Sequence, residues 1–322
     1  MGDLERYGAS EDVFREAAKY PKFTLGRVLT QSKRMFRIVT DDGEFLAEVN
    51  GKFRHAATSV SDYPVVGDYV LAMTSRSTGK AVIHYVLTRR NAFERTIAGK
   101  AQRAQVVAAN IDIVFICMSL NANYSLNRME RYLTVAWKSG ARPVVLLTKG
   151  DVASVDVTKC IEDVKGIARK AEVFATSMFD ESSVALLHSL VPKGVTAAFI
   201  GSSGVGKSTL VNLLLGEERQ ATQAIRETDD KGRHTTSMRE MIALPNGGVV
   251  IDTPGMRELG IETADIETAF ADIEQLALEC RFSDCRHETE PDCAVKQAVA
   301  DGRLDARRLE SYLKLRAETE RR

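Results

Sequence analysis

The rhythm of hydrophobic and polar residues changes several times along this chain. Over residues 1–20 apolar side chains recur at helical spacing without a strong core stripe, which predicts a short arm or cap. Over 24–86 the pattern becomes short alternating runs, such as Phe36-Arg37-Ile38-Val39 and Glu44-Phe45-Leu46-Ala47-Glu48-Val49. Asp-Asp-Gly and Asn-Gly turn signals separate them, and together they predict a small all-β barrel. The next run, Ile111-Asp112-Ile113-Val114-Phe115-Ile116-Cys117, is nearly continuous, as in a strand buried on both faces. A helix over 126–138 and a second buried run over 143–147 follow it. Further strands are predicted at 173–176, 195–200, 238–244 and 249–252, alternating with helices as a doubly wound α/β sheet requires. Beyond 255 the spacing predicts a helix over 266–278, a cysteine-rich stretch and a charged helix over 305–322. No internal repeat or low-complexity tract is present.

Composition narrows the class. A chain of 322 residues that is 44% hydrophobic has material for two or three domains. Its 44 basic and 44 acidic residues cancel, so global charge does not argue for nucleic-acid binding. Locally, residues 20–90 hold 11 Lys/Arg against 6 Asp/Glu. No apolar run approaches the roughly 18 residues of a membrane span. The opening MGDLERYGASEDVFREAAKY is too charged for a secretory signal. The expected location is the cytoplasm, with no membrane partner.

The strand Ala197-Ala198-Phe199-Ile200 runs into Gly201-Ser202-Ser203-Gly204-Val205-Gly206-Lys207-Ser208, and a helix opens at Thr209. This is the context of a phosphate loop. Its glycines let backbone N–H groups turn onto phosphate oxygens, Lys207 reaches the β- and γ-phosphates, and Ser208 can bind Mg²⁺. The competing reading is a chance glycine-bearing loop, against which the flanking strand and helix argue. About 45 residues on, a buried strand ends in Asp252-Thr253-Pro254-Gly255. Asp252 can hold Mg²⁺ through water and the Gly255 N–H can sense the γ-phosphate, although the tetrapeptide alone is an ordinary turn. Between the two lies Lys231-Gly232-Arg233-His234-Thr235-Thr236, suited to a switch in which Thr236, or Thr235 beside it, meets Mg²⁺ and γ-phosphate.

A base-reading motif, Thr148-Lys149-Gly150-Asp151, precedes the phosphate loop in the chain. Asp151 can accept two hydrogen bonds from the N–H edge of guanine, which adenine lacks, while Lys149 packs over the ring. Thr176-Ser177 would supply a second loop against the base. In an ordinary GTPase the phosphate loop comes first, so the order predicts a circularly permuted domain and the nucleotide pair GTP/GDP.

Five cysteines, three of them between 280 and 293, look unlike a secreted disulfide framework. Cys280, Cys285, His287 and Cys293 supply three thiolates and an imidazole, enough for a closed tetrahedral Zn²⁺ site; buried free cysteines with an incidental histidine are the alternative. Cys117 and Cys160 are expected to be buried free thiols.

The permuted order, the phosphate loop, Gly232-Arg233-His234-Thr235-Thr236 and the Cys-Cys-His-Cys cluster together resemble the bacterial ribosome-small-subunit-dependent GTPase A family (RsgA/YjeQ). Gln105-Val106-Val107-Ala108-Ala109-Asn110-Ile111-Asp112 and Glu130-Arg131-Tyr132-Leu133 also look like that family, and the resemblance spans nearly the whole chain. It implies a multidomain protein: an arm and all-β OB-fold barrel over 1–95, a central α/β permuted GTPase domain over 96–265, and a helical zinc module over 266–322. It implies action late in maturation of the small ribosomal subunit, with that subunit and its rRNA as partners. The chain departs from the family pattern at Thr148, where asparagine is usual, at Met256, where phenylalanine is common, and at Ala175-Thr176-Ser177.

Met256 cannot orient the attacking water as the glutamine of a Ras-type GTPase does. His234 is the candidate for that role, and the resemblance points to the same residue; a phosphate or RNA contact is its competing role. Slow intrinsic hydrolysis, accelerated by the subunit and coupled to release of a monomeric protein, is the expected activity. The alternative is a nucleotide-gated RNA-binding chaperone in which hydrolysis is incidental. Lys33, Arg34, Arg37, Lys52 and Arg54 are candidate RNA contacts, as are Arg307, Arg308, Lys314, Arg316, Arg321 and Arg322, and a solvated charged face is the alternative for each.

Overall fold

Strand β1 (Thr24–Ser32) pairs with β2 (Met35–Thr40), which pairs with β3 (Gly43–Val49); β3 pairs with β5 (Lys80–Val86), β5 with β4 (Tyr69–Ser75), and β4 returns to β1. The five strands thus close into a barrel. The computed structural model describes residues 2–32, 34–96, 104–121, 124–151, 155–168, 170–177, 180–202, 204–217, 239–252, 270–282, 284–306, 308–310, 312–313 and 316. The alternation read from the sequence is the barrel's inside and outside: Phe45, Ala47 and Val49 point inward with Val28, Phe36, Ile38, Val70, Ala72 and Ile83, while Glu44, Leu46 and Glu48 face out. Two short helices, α1 (Asp3–Arg6) and α2 (Glu11–Ala17), form the arm and bury Leu4 and Val13.

Asn50-Gly51, expected as a turn, instead opens helix α3 (Gly51–Ala56). The Asn50 carboxamide accepts the Phe53 N–H at 2.6 Å, so the residue that signals a turn serves as an N-cap. Strands β6 (Ala92–Thr96) and β7 (Ala104–Ala109), also unanticipated, form a separate antiparallel pair after the barrel.

The second sheet contains β8 (Ile113–Ser119), β9 (Arg142–Thr148), β10 (Glu172–Ala175), β11 (Thr196–Ile200), β12 (Arg239–Ala243) and β13 (Val249–Asp252) in the order β10-β9-β8-β11-β13-β12. Every neighbouring pair is parallel except β12–β13. Helices α4 (Leu126–Ser139), α5 (Val157–Ala168), α6 (Glu181–Leu190) and α7 (Lys207–Leu215) accompany it. On β8, Val114 and Ile116 pack with Met129 and Leu133 of α4 and Val164 of α5, while Phe115 and Cys117 pack with Leu187 of α6 and Val211 and Leu214 of α7. Burial on both faces is the cause of the unbroken apolar run.

Barrel and sheet share an edge. Strand β12 pairs antiparallel with β1 at Thr30–Glu240 and Gln31–Arg239, and Arg37 on β2 meets Glu240 at 3.2 Å. Arg27, fully buried, fastens the same junction: it donates to the carbonyls of Gly67 (3.2 Å), Asn110 (3.1 Å) and Tyr7 and to the Thr196 hydroxyl (3.0 Å).

Helices α8 (Ala271–Ala277) and α9 (Ala294–Ala300) enclose a separate small core of Phe270, Ile273, Val295, Ala298, Leu304, Leu309 and Tyr312 around the cysteine cluster. Among the described residues no helix is long and apolar enough to cross a membrane.

Candidate functional site

The loops that follow β9, β10 and β11, together with the end of β13, gather at the carboxyl ends of the parallel strands, where α/β sheets bind ligands. The phosphate loop starts at Gly201 with φ +143°, and an added Cβ there would stand 2.3 Å from the Cys117 carbonyl oxygen. Only glycine fits so close to β8. Gly204 and Gly206 also adopt positive φ, and Gly206 caps α7 without a side-chain hydrogen bond, leaving that helix's first N–H groups for an anion. Lys207, nine-tenths buried, donates to the Gly201 carbonyl (2.6 Å) and the Ser202 carbonyl, so its ammonium is held within the loop. Ser208 and Thr209 occupy the first turn of α7.

The base-reading motif is tied to this loop. The Thr148 hydroxyl donates to the Val205 carbonyl at 2.6 Å, a buried contact across 57 residues of sequence. Lys149 adopts φ +61°, a left-handed conformation that costs a side-chain-bearing residue energy and recurs at ligand sites. The Gly150 N–H reaches the Thr176 carbonyl at 3.2 Å, the Thr176 N–H reaches Leu147 at 2.8 Å, and the Ser177 hydroxyl donates to the Asp151 carboxylate at 3.1 Å. Thr176 and Ser177 therefore abut the motif, and Ser177 orients the carboxylate expected to read guanine. Strand β13 ends at Asp252 and pairs parallel with β11, the strand that enters the phosphate loop.

Two residues here were not anticipated as site residues. Arg128 donates to the Ser202 hydroxyl at 3.2 Å and the Tyr132 hydroxyl lies 3.4 Å from the same oxygen, so two successive turns of α4 hold the second residue of the phosphate loop. Their i, i+4 spacing is legible, but the partner is about 70 residues away. Ser203, His234, Thr235, Thr236 and Gly255 lie outside the described residues.

The four metal-ligand candidates converge: their donor atoms all lie within 4.8 Å of one another. Cys280 Sγ stands 3.6 Å from His287 Nδ1 and 3.9 Å from Cys293 Sγ, and His287 Nδ1 stands 3.3 Å from Cys293 Sγ. Tetrahedral thiolates about 2.3 Å from zinc lie about 3.8 Å apart, so these spacings fit one ion. Burial pushes the Cys285 thiol up to about 11, so its thiolate needs a neighbouring cation, and burial holds His287 below its ordinary value, which favours the neutral imidazole that a metal requires. Cys117 and Cys160 are buried and free, as expected.

The candidate RNA contacts fare unevenly. Arg37 pairs with Glu44 (3.5 Å) and Glu240, and Arg54 with Glu48 (3.2 Å), while Arg34 and Lys52 are exposed. Arg308 is a correction: its side chain is only 11% exposed and is bonded to Asp272 and Glu130, so it is structural. Arg316 reaches the Cys285 carbonyl at 3.4 Å, on the cluster itself. Lys33, Arg307, Lys314, Arg321 and Arg322 lie outside the described residues.

Comparison with known proteins agrees with this geometry. The family model described as RsgA GTPase matches residues 86–262. Small ribosomal subunit biogenesis GTPase RsgA 2 of Lactiplantibacillus plantarum is 42% identical over 98% of this chain and 89% of its own. The small ribosomal subunit biogenesis GTPase RsgA of Methanosarcina acetivorans is 40% identical over 91% of this chain and 79% of its own. The crystal structure of YjeQ from Thermotoga maritima superposes with a TM-score of 0.68 at 27% identity, covering 93% of this chain and 99% of that one. The structure of YloQ, a circularly permuted GTPase, superposes with a TM-score of 0.65 at 24% identity over 92% of this chain and 95% of its own, and so shares the fold. A permuted nucleotide site built at one end of the sheet, matched over nearly the whole chain, places the protein: it belongs to the RsgA GTPase family.

Proposed function

We propose that this chain is a GTP hydrolase of small ribosomal subunit biogenesis, stimulated by the subunit and released from it when GTP becomes GDP. The observation that carries the reading is the Thr148–Val205 contact, which joins a base-reading loop to a phosphate loop that follows it in the chain. The names of the relatives supply the ribosomal partner.

In this reading Thr148, Lys149, Gly150 and Asp151, with Thr176 and Ser177, hold guanine. Gly201 to Thr209 hold the phosphates, and Ser208, Thr236 and Asp252 hold Mg²⁺. Thr235, Thr236 and Gly255 sense the γ-phosphate and His234 orients the attacking water. The Mg²⁺ would neutralise charge on the transferring phosphoryl group. Cys280, Cys285, His287 and Cys293 hold one structural Zn²⁺. Residues 1–95, 96–265 and 266–322 act as barrel, GTPase and zinc units of a cytoplasmic monomer. The barrel's closed strand order β1-β2-β3-β5-β4-β1 supports reading it as an OB-fold, which suits an rRNA contact.

The test is the GTP hydrolysis rate of the purified protein with and without small subunits, with ATP and large subunits as controls. Stimulation by small subunits alone, with ATP inert, supports the reading; equal slow rates in every mixture overturn it. His234→Ala tests the chaperone alternative: lost turnover with retained GTP binding argues against it, and unchanged turnover removes His234 from the mechanism.

A further inference from the structure

With Arg37 and Arg54 engaged in ion pairs, the barrel's most distinctive surface chemistry lies elsewhere, at the junction of the arm and β5. Strand β5 slips register against β4 between Leu71 and Ala72, where Leu71 pairs with Tyr85 and Ala72 with Ile83, so His84 is the extra residue of a bulge. A bulge re-aims side chains. Here Ile83 stays in the core while His84 is half-buried and Tyr85 is exposed. The arm brings Tyr20 and Phe23 against them. Tyr20 and Tyr85 lie 5.5 Å apart at 30°, Phe23 and His84 4.7 Å apart at 40°, and Phe23 meets Tyr85 edge-on at 5.5 Å. Tyr20 and Tyr85 remain 41% and 45% exposed, an unusual amount for rings already clustered.

Beside this cluster an open groove of about 580 Å³ runs between β5 and α3, lined by Asn50, Lys52, Phe53, His84, Tyr85 and Arg89. His84 is held by a 2.7 Å contact between its Nδ1 and the Asn50 carboxamide nitrogen, so the ring is fixed before any ligand arrives. Lys52 stands exposed at the groove, and Lys19 and Lys22 are exposed beside Tyr20 and Phe23 in sequence. Among the described residues the groove has one acid, Asp62, whose carboxylate is turned toward the N–H groups of Thr58 and Ser59 and the Thr58 hydroxyl. Exposed rings flanked by lysines match single-stranded RNA: bases stack on π-faces and phosphates meet ammonium groups.

We infer that Tyr20, Phe23, His84 and Tyr85 form a stacking platform for unpaired RNA bases, with Lys19, Lys22 and Lys52 on the adjoining phosphates. The inference rests on the ribosomal reading above only in needing the chain to meet RNA. It names a site that the basic residues of the barrel do not define.

The experiment is fluorescence anisotropy of the full chain with a labelled single-stranded RNA ten-mer and with a duplex of the same length, at two salt concentrations. The single strand should bind more tightly than the duplex. Tyr85→Ala and Tyr20→Ala should each weaken it roughly 5- to 150-fold, the effect of removing one stacked base, without changing the salt slope. Tyr85→Phe should retain binding, and Lys52→Ala should lower the salt slope by about 0.7. Basal GTP hydrolysis and the thermal midpoint serve as folding controls. Unchanged affinity in a folded Tyr85→Ala variant, or a duplex bound as tightly as the single strand, overturns the platform. A folded Tyr85→Ala variant that binds the ten-mer normally yet loses association with small subunits assigns the face to a ribosomal protein and likewise overturns it. Single-strand binding that depends on Tyr85 in a protein no small subunit stimulates would uphold the platform while the ribosomal reading fails.

Discussion

Arg308 and Glu130, 178 residues apart, meet at 2.7 Å with side chains only 11% and 5% exposed, and they join the cysteine-cluster unit to helix α4 of the GTPase sheet. Arg308 also grips both oxygens of Asp272 at 2.5 and 2.8 Å and lies 4.9 Å over the Phe270 ring. Burial disfavours its charge, but the hydrogen bonds and charges of Asp272 and Glu130 outweigh that and raise its pKa. Removing one partner of a buried pair costs about 3–5 kcal/mol because the other charge is left in a dry site. Arg308→Ala should lower unfolding stability in urea by about that amount, and adding Glu130→Gln should recover part of it. A loss below about 1 kcal/mol would mean that water reaches the pair.

Thr148 stands where asparagine is usual in the family the chain resembles, and its hydroxyl binds the phosphate loop. Thr148→Val keeps the shape and strands the buried Val205 carbonyl, which costs about 1–3 kcal/mol, or roughly a 5- to 150-fold loss if the loop relaxes out of its binding geometry. Titration with a fluorescent GTP analogue should show weaker binding for Thr148→Val and near-normal binding for Thr148→Ser. Equal affinity in all three proteins would show that the loop holds its shape without the tether.

This contact marks the division between what was legible and what was not. The phosphate loop, the base motif and the Cys-Cys-His-Cys cluster were readable because each is a short stretch whose residue types and spacing are dictated by one ligand. The continuous run around Phe115 betrayed its two-sided burial for a similar reason. Contacts formed between distant stretches left no trace. Nothing near Arg128 points to Ser202, and nothing in the charged pattern of the C-terminal segment separates the buried Arg308 from the exposed Arg303. Helix α3 was hidden because asparagine favours both turns and N-caps, and β7 because alanine, a poor strand former, fills three of its six positions.

Arg27 makes a further test of the junction between barrel and sheet, because its acceptors are carbonyls and a hydroxyl and none is a carboxylate. Burial lowers its pKa, yet a guanidinium remains charged. Arg27→Lys places a titratable ammonium in the same dry site, where burial depresses its folded pKa below the unfolded value of about 10.4. The unfolded chain then binds more protons than the folded one between those two values, so the variant's stability relative to wild type should rise as pH increases through that window. Urea midpoints at several pH values check this. A difference independent of pH would indicate that the lysine reaches solvent.

The cysteine cluster lies in a core of its own, apart from the two cores that flank the nucleotide sheet. A metal ion held by the cluster would staple so small an apolar core; structural zinc supplies about 10–16 kcal/mol of apparent binding energy in peptides. Titrating the thiols with a mercurial should release one metal ion per chain into a colorimetric dye. Cys293→Ser should abolish that release and cost helical signal in proportion to α8 and α9, because Cys293 also accepts the Lys296 N–H at the start of α9. GTP binding should survive, since no ligand of the cluster touches the phosphate loop among the described residues. The Glu130–Arg308 link should then weaken as well, so that Cys293→Ser and Arg308→Ala combined cost less than the sum of the two. Full additivity would show that the metal does not position Arg308, and the cluster would be a local staple with no part in joining the two units.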